Sequence, residues 1–105
     1  MILDENQLLT AAGAEELTRR ASSLACECPR HLIAILDHVR SFQAYEQSCI
    51  NRSPQDKETH EWLYLSARNL DQMLSATIVQ LARLEGMVDE LNEFRDHPHR
   101  GPDRP

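Results

Sequence analysis

Residues 53–94 read SPQDKETHEWLYLSARNLDQMLSATIVQLARLEGMVDELNEF, and the spacing of their apolar side chains decides the fold. Leu63, Ala67, Leu70, Leu74, Thr77, Leu81, Leu84, Val88 and Leu91 follow one another at alternating steps of four and three. On a helix that spacing gathers them into one continuous seam, whereas a strand would scatter them over both faces. Ser53-Pro54-Gln55-Asp56 supplies the start: a hydroxyl to cap the first free amides, a proline where no amide proton is needed, and a carboxylate in the first turn. The stretch therefore predicts a helix from Pro54 to about Phe94. At about 1.5 Å per residue such a rod is roughly 60 Å long, far more than a domain of about 100 residues, with a radius of gyration near 13 Å, normally spans. Its excess length needs a cover.

Upstream, Leu32, Ile35, Leu36, Val39, Phe42, Tyr45 and Cys49 mark the apolar face of a second helix, entered through Pro29 and ending near Ile50, with Asp37, Arg40, Gln43 and Gln47 outside it. Only Asn51 and Arg52 separate it from the Ser53 cap, so the two helices must run antiparallel. The second helix covers only about the first half of the third. The rest of the seam, with Leu74, Thr77, Leu81, Leu84, Val88 and Leu91 as interface residues, is expected to pair with a second copy of the chain, with the first helix as a further cover. That first helix follows from Ala14, Leu17, Ala21 and Leu24, with Arg19 and Arg20 placed late, toward the negative end of its dipole. Gly13 weakens its opening turn. Residues 1–10 form either a short helix capped by Asp4 or an extended arm across the core. Residues 95–105, RDHPHRGPDRP, hold three prolines and no apolar anchor, and are expected to be a disordered tail. The fold class is all-α: an antiparallel helical hairpin with an N-terminal helix, packed as a small bundle in a single domain over 1–94.

Composition agrees with helices. The chain of 105 residues has only three Gly, two Phe, two Tyr and one Trp, which argues against a sandwich or barrel. Its 17 acidic and 11 basic residues give a formal charge of −6, so the phosphate attraction behind direct nucleic-acid binding is missing. No long apolar run and no basic, apolar leader is present, so neither a membrane span nor a signal peptide is expected. Three cysteines, an odd number, suit a reducing cytoplasm better than a disulfide framework.

The densest chemistry lies in Cys26-Glu27-Cys28-Pro29-Arg30-His31, two thiols and an imidazole at a helix start. The helix dipole there favours thiolate, the form that binds metal or reacts. Cys26, Cys28 and His31 are thus candidate ligands for zinc or another transition metal, although structural zinc takes four ligands and prefers a wider cysteine spacing. Cys49 lies roughly 30 Å further along the second helix, with His60 beside that far end, so neither completes the set within one chain. The alternative is inert, packed cysteines. His60-Glu61-Trp62-Leu63-Tyr64 opens like the zinc-protease H-E-x-x-H motif, but Tyr64 replaces the second histidine. His31 and His38, two turns apart, read as surface residues. Trp62, Tyr64 and Tyr45 read as core near the hairpin turn. No phosphate-binding glycine loop and no nucleophile elbow is present, so neither catalysis nor a cofactor is expected.

The run Cys26-Glu27-Cys28-Pro29-Arg30-His31-Leu32, with Phe42, Tyr45, Cys49, Arg52-Ser53-Pro54, Asp56 and His60, resembles the helical region that follows the helix-turn-helix in some bacterial MerR-type regulators. The likeness spans roughly Leu17 to Gly86. It implies a helix that pairs two subunits and a sensing role for Cys26, Cys28 and His31. Direct DNA binding is not implied, because no reading head precedes the helices. Together these readings predict a cytoplasmic, non-enzymatic regulatory or protein-interaction module that forms a homodimeric bundle, with a regulatory protein as a further partner and a metal- or redox-sensing domain as the alternative.

Overall fold

The computed structural model describes residues 2–22, 26–52 and 54–95. The architecture is all-α. Helix α1 spans Ala11–Ala21 and α2 spans Cys28–Arg52; a 3-10 turn at Pro54–Asp56 then leads into α3, Lys57–Leu84. The expected Ser53 cap, Leu24 and the tail after residue 95 lie outside the described residues. Among those described, no helix is long and apolar enough to cross a membrane.

Helices α2 and α3 form the antiparallel hairpin, and the molecule measures 58 × 25 × 21 Å. Helix α1 lies along one face of it. Leu17, Ala21, Leu36, Ile78, Val79 and Ala82 are buried together there. Thr10 caps α1: its Oγ1 accepts the Gly13 amide proton at 2.9 Å. Gly13 does more than weaken a turn. A Cβ at that position would stand 2.8 Å from Thr10 Oγ1 and 3.1 Å from Ile2 Cα, so only a glycine lets the first residues lie this close to the helix.

The third helix is shorter than its heptad pattern predicts. It stops at Leu84, and Gly86 takes the left-handed conformation at φ 77°. The Gly86 amide donates to the Arg83 carbonyl at 3.0 Å and the Met87 amide to the Ala82 carbonyl at 2.8 Å, a Schellman ending. The chain then turns back. Val88, assigned to the dimer seam by spacing alone, is 1% exposed inside the chain's own core, while Leu91 projects from a loop. About 28 residues at 1.5 Å give roughly 42 Å of α3 in place of the expected 60 Å, much closer to what α2 spans.

Residues 2–10 are neither helix nor extended arm. They form a tight loop whose internal amide hydrogen bonds residues 87–95 repeat one for one. In the first, Leu3 bridges Leu9, and Asp4 Oδ1 accepts the amides of Asn6 (2.8 Å) and Leu8 (3.0 Å). In the second, Val88 bridges Phe94, and Asp89 Oδ1 accepts the amides of Leu91 (2.8 Å) and Glu93 (3.0 Å). Each holds one residue at positive φ, Gln7 at 65° and Asn92 at 63°. The two loops grip α1 from opposite ends: Ile2 meets Gly13 in the first turn, and the Arg20 guanidinium in the last turn lies 4.7 Å over the Phe94 ring.

Candidate functional site

The α2–α3 hairpin has two faces. On the covered face, α1 lies against the Ile33, Asp37 and Arg40 edge of α2. Arg40, expected on the outside, turns inward. Its Nε donates to Asp71 Oδ2 at 2.8 Å and its Nη2 to Asp71 Oδ1 at 3.0 Å, with a second Nη2 contact to the Leu9 carbonyl at 2.6 Å. Gln43 Nε2 and Ser75 Oγ also donate to the Asp71 carboxylate, and the Leu9 amide donates to Ser75 Oγ. Burial pushes the Asp71 carboxyl up, but Arg40, Ser75 and Gln43 outweigh it and hold the group below the usual carboxylate range. The network locks the first loop onto the hairpin. The sequence carries one signal of it: Asp71 and Ser75 fall within the buried stripe that also holds Ala67, Ile78 and Ala82.

The opposite face is apolar and, among the described residues, largely uncovered. On α2, Cys28, Leu32, Ile35, Val39 and Phe42 follow at steps of four and three; on α3, Leu70, Leu74, Thr77, Leu81 and Leu84 do the same. Between them runs a groove of about 550 Å³ lined by Cys28, Leu32, Thr77, Leu81 and Leu84 among others. Leu84 is 59% exposed, Leu70 51% and Ile35 49%, an unusual density of bare large aliphatic side chains. Leu74, Thr77, Leu81 and Leu84, four of the predicted interface residues, lie on this stripe; Val88 and Leu91 do not. Ile35, Phe42 and Tyr45 are exposed where the pattern placed them in the core, and Trp62 is exposed as well.

The Cys26, Cys28 and His31 group sits at the open end of the hairpin. The Glu27 carbonyl accepts the first helical bond of α2 from the His31 amide at 3.1 Å. Both thiols are exposed, and the Cys28 amide donates to Cys26 Sγ at 3.4 Å. His31 leans back on Glu27, with Nε2 3.8 Å from Oε1. The expected thiolate character is not found at Cys28: its hydrogen bond to Cys26 and the charge of that thiol, with a smaller contribution from Glu85, push the Cys28 thiol above its ordinary value, against the dipole.

A different trio converges at the other end. Glu46 and Cys49 are one turn apart on α2, and His60 reaches across from the first turn of α3. One ligand atom from each lies within 4.8 Å of the others, the one such group of three among the described residues. The pairing of Cys49 and His60 follows from the hairpin; Glu46 escaped notice because a carboxylate between Phe42 and Cys49 reads as solvent face. Its side chain is 4% exposed and its Oε1 is 2.6 Å from His60 Nδ1.

Comparison with known proteins returns nothing: no family model, no curated protein and no solved structure matches the chain. The likeness to MerR-type regulators stands on the quoted motif residues alone.

Proposed function

We propose that this chain is a non-enzymatic interaction module that works as a homodimer, two hairpins laid face to face through the Leu32, Ile35, Leu70, Leu81 and Leu84 stripe. The observation that carries the reading is the contrast between the faces: one is sealed by α1 and both loops, while the other is apolar over its length and, among the described residues, leaves Ile35, Phe42, Leu70 and Leu84 exposed and Val39, Leu74 and Leu81 half-buried. Its size fits. About 37 Å of paired helix and a width near 20 Å give roughly 750 Å² per copy, close to the roughly 800 Å² per partner of a standard stable interface. The stripe carries no charged side chain, so a second copy meets it without desolvating an ion. The MerR-type motif favours a regulatory setting, in which a module of this kind shares a dimer surface with a transcription regulator.

Light scattering on the purified chain tests the pairing. The expected mass is twice 12.1 kDa. Leu70→Asp with Leu84→Asp should give a monomer with unchanged helical circular dichroism, because both side chains are already half exposed in the single chain. A wild-type chain that stays monomeric at its highest soluble concentration, or a double variant that remains a dimer, rejects the proposal.

A further inference from the structure

We infer that Glu46, Cys49 and His60 bind one zinc-class transition-metal ion at the closed end of the hairpin, with the fourth position open to water or to a donor atom of an incoming ligand. This inference is independent of the dimer. The three residues offer carboxylate oxygen, sulfur and imidazole nitrogen, and all three donor types are common on zinc. Thiolate is too soft for magnesium or calcium, which fixes the class of ion.

The geometry supports the same conclusion from two directions. Glu46 is 3% exposed, and a carboxylate is rarely buried so completely without a partner; its partner is the His60 ring nitrogen at 2.6 Å, so carboxylate and imidazole already face each other in a water-poor pocket beside Cys49. Glu46 and Cys49, three apart, project from one side of α2 while His60 faces them from α3. Helical bundles build carboxylate metal sites in this way, with ligands at i and i+3 on one helix completed from its neighbour. A four-coordinate ion with bonds of about 2.0 to 2.3 Å needs donors about 3.3 to 3.8 Å apart. The present atoms lie within 4.8 Å of one another, so no pair need close by more than about 1 Å, while the 2.6 Å contact of Glu46 with His60 opens to admit the ion. Binding releases the Cys49 thiol proton, because the thiolate is the ligand, and needs a proton-free nitrogen on the His60 ring; no electron moves.

Co²⁺ titration of the full-length chain, purified without a tag and freed of metal, tests the site. One equivalent should produce the sulfur-to-cobalt charge-transfer band, and Zn²⁺ should displace it. Cys49→Ser should abolish the band, and His60→Asn should weaken binding by more than about 100-fold, beyond the 10- to 100-fold typical of supporting residues. Cys26→Ser with Cys28→Ser should change neither. A wild-type chain with no band, or a band that survives Cys49→Ser and vanishes in the Cys26/Cys28 double variant, overturns the assignment. A readout free of any variant is ¹H–¹⁵N NMR of the five histidine rings. Zn²⁺ at one equivalent should move the His60 signals most; an unmoved His60 overturns the inference even if the variants fail to fold.

Discussion

The covered and open faces of the hairpin share one apolar spacing but differ in what lies among the apolar side chains. The covered face holds a charge at its centre, Asp71, satisfied by Arg40, Ser75 and Gln43 and through them tied to the first loop. The open face holds aliphatic side chains with Phe42, Cys28 and Thr77, and no charge. A buried ion pair is costly unless every partner is in place, so it specifies a single arrangement of the elements that supply it. An all-apolar stripe specifies little beyond the exclusion of water. The covered face accordingly fixes the arrangement within one chain, and the open one is the face that the proposed pairing would use.

The largest expected effect comes from taking the centre out of the covered face. Asp71→Ala strands Arg40 and should lower unfolding stability by about 3 kcal/mol, near the bottom of the range for breaking a buried pair because Arg40 keeps some contact with water. Urea denaturation reads it as a shift of midpoint at constant slope. The same carboxylate sets an acid limit. Its folded pKa is depressed, so its contribution is fully present above the ordinary aspartate value of about 3.9 and is lost as pH falls through the lower folded value. Half-buried Glu16, beside Arg19 and Arg20, and Asp89, on its loop amides, act in the same direction. Stability should be level near neutrality and fall below about pH 4, with a shallower fall in Asp71→Ala.

A matched pair of leucines sharpens the contrast. Leu36→Ala, at a fully buried position beneath α1, should cost about 2 to 4 kcal/mol. Leu84→Ala should leave the stability of the monomer within about 0.5 kcal/mol and weaken self-association, read by sedimentation. Similar losses of monomer stability at both positions would erase the distinction between the faces. The smallest effects belong to the two loops: Gln7→Gly relieves a side chain held at φ 65° and should raise stability by up to about 1 kcal/mol, measured by thermal melting. Asn92→Gly, at φ 63°, should gain less, because asparagine tolerates that conformation.

Much of this was legible in the sequence, and the misreadings share a cause. The three helices, the tight hairpin and the Ala14, Leu17 and Ala21 face of α1 follow from spacing and punctuation. Spacing, however, says that a residue recurs and not what covers it. Val88 and Leu91 continued the heptad arithmetic past Gly86, although the backbone had already left the helix there. Arg40 and Gln43 were placed outside because a long polar side chain gives no sign that a carboxylate waits on the facing helix. The loop repeat escaped because its two copies share only an Asp-Glu pair, Asp4-Glu5 and Asp89-Glu90, and apolar residues at three flanking positions, a match too short to stand out from chance. At the site, Cys49 and His60 were correctly set at the same end of the hairpin, and only the fold shows that Glu46 joins them.

The twin loops have a consequence for how freely the chain's ends can be rewritten. One aspartate and one left-handed residue set the backbone of each, so the intervening letters are spared from holding the shape. Residues 89–93 transplanted onto 4–8 should keep the path of the loop while altering what it displays to its surroundings.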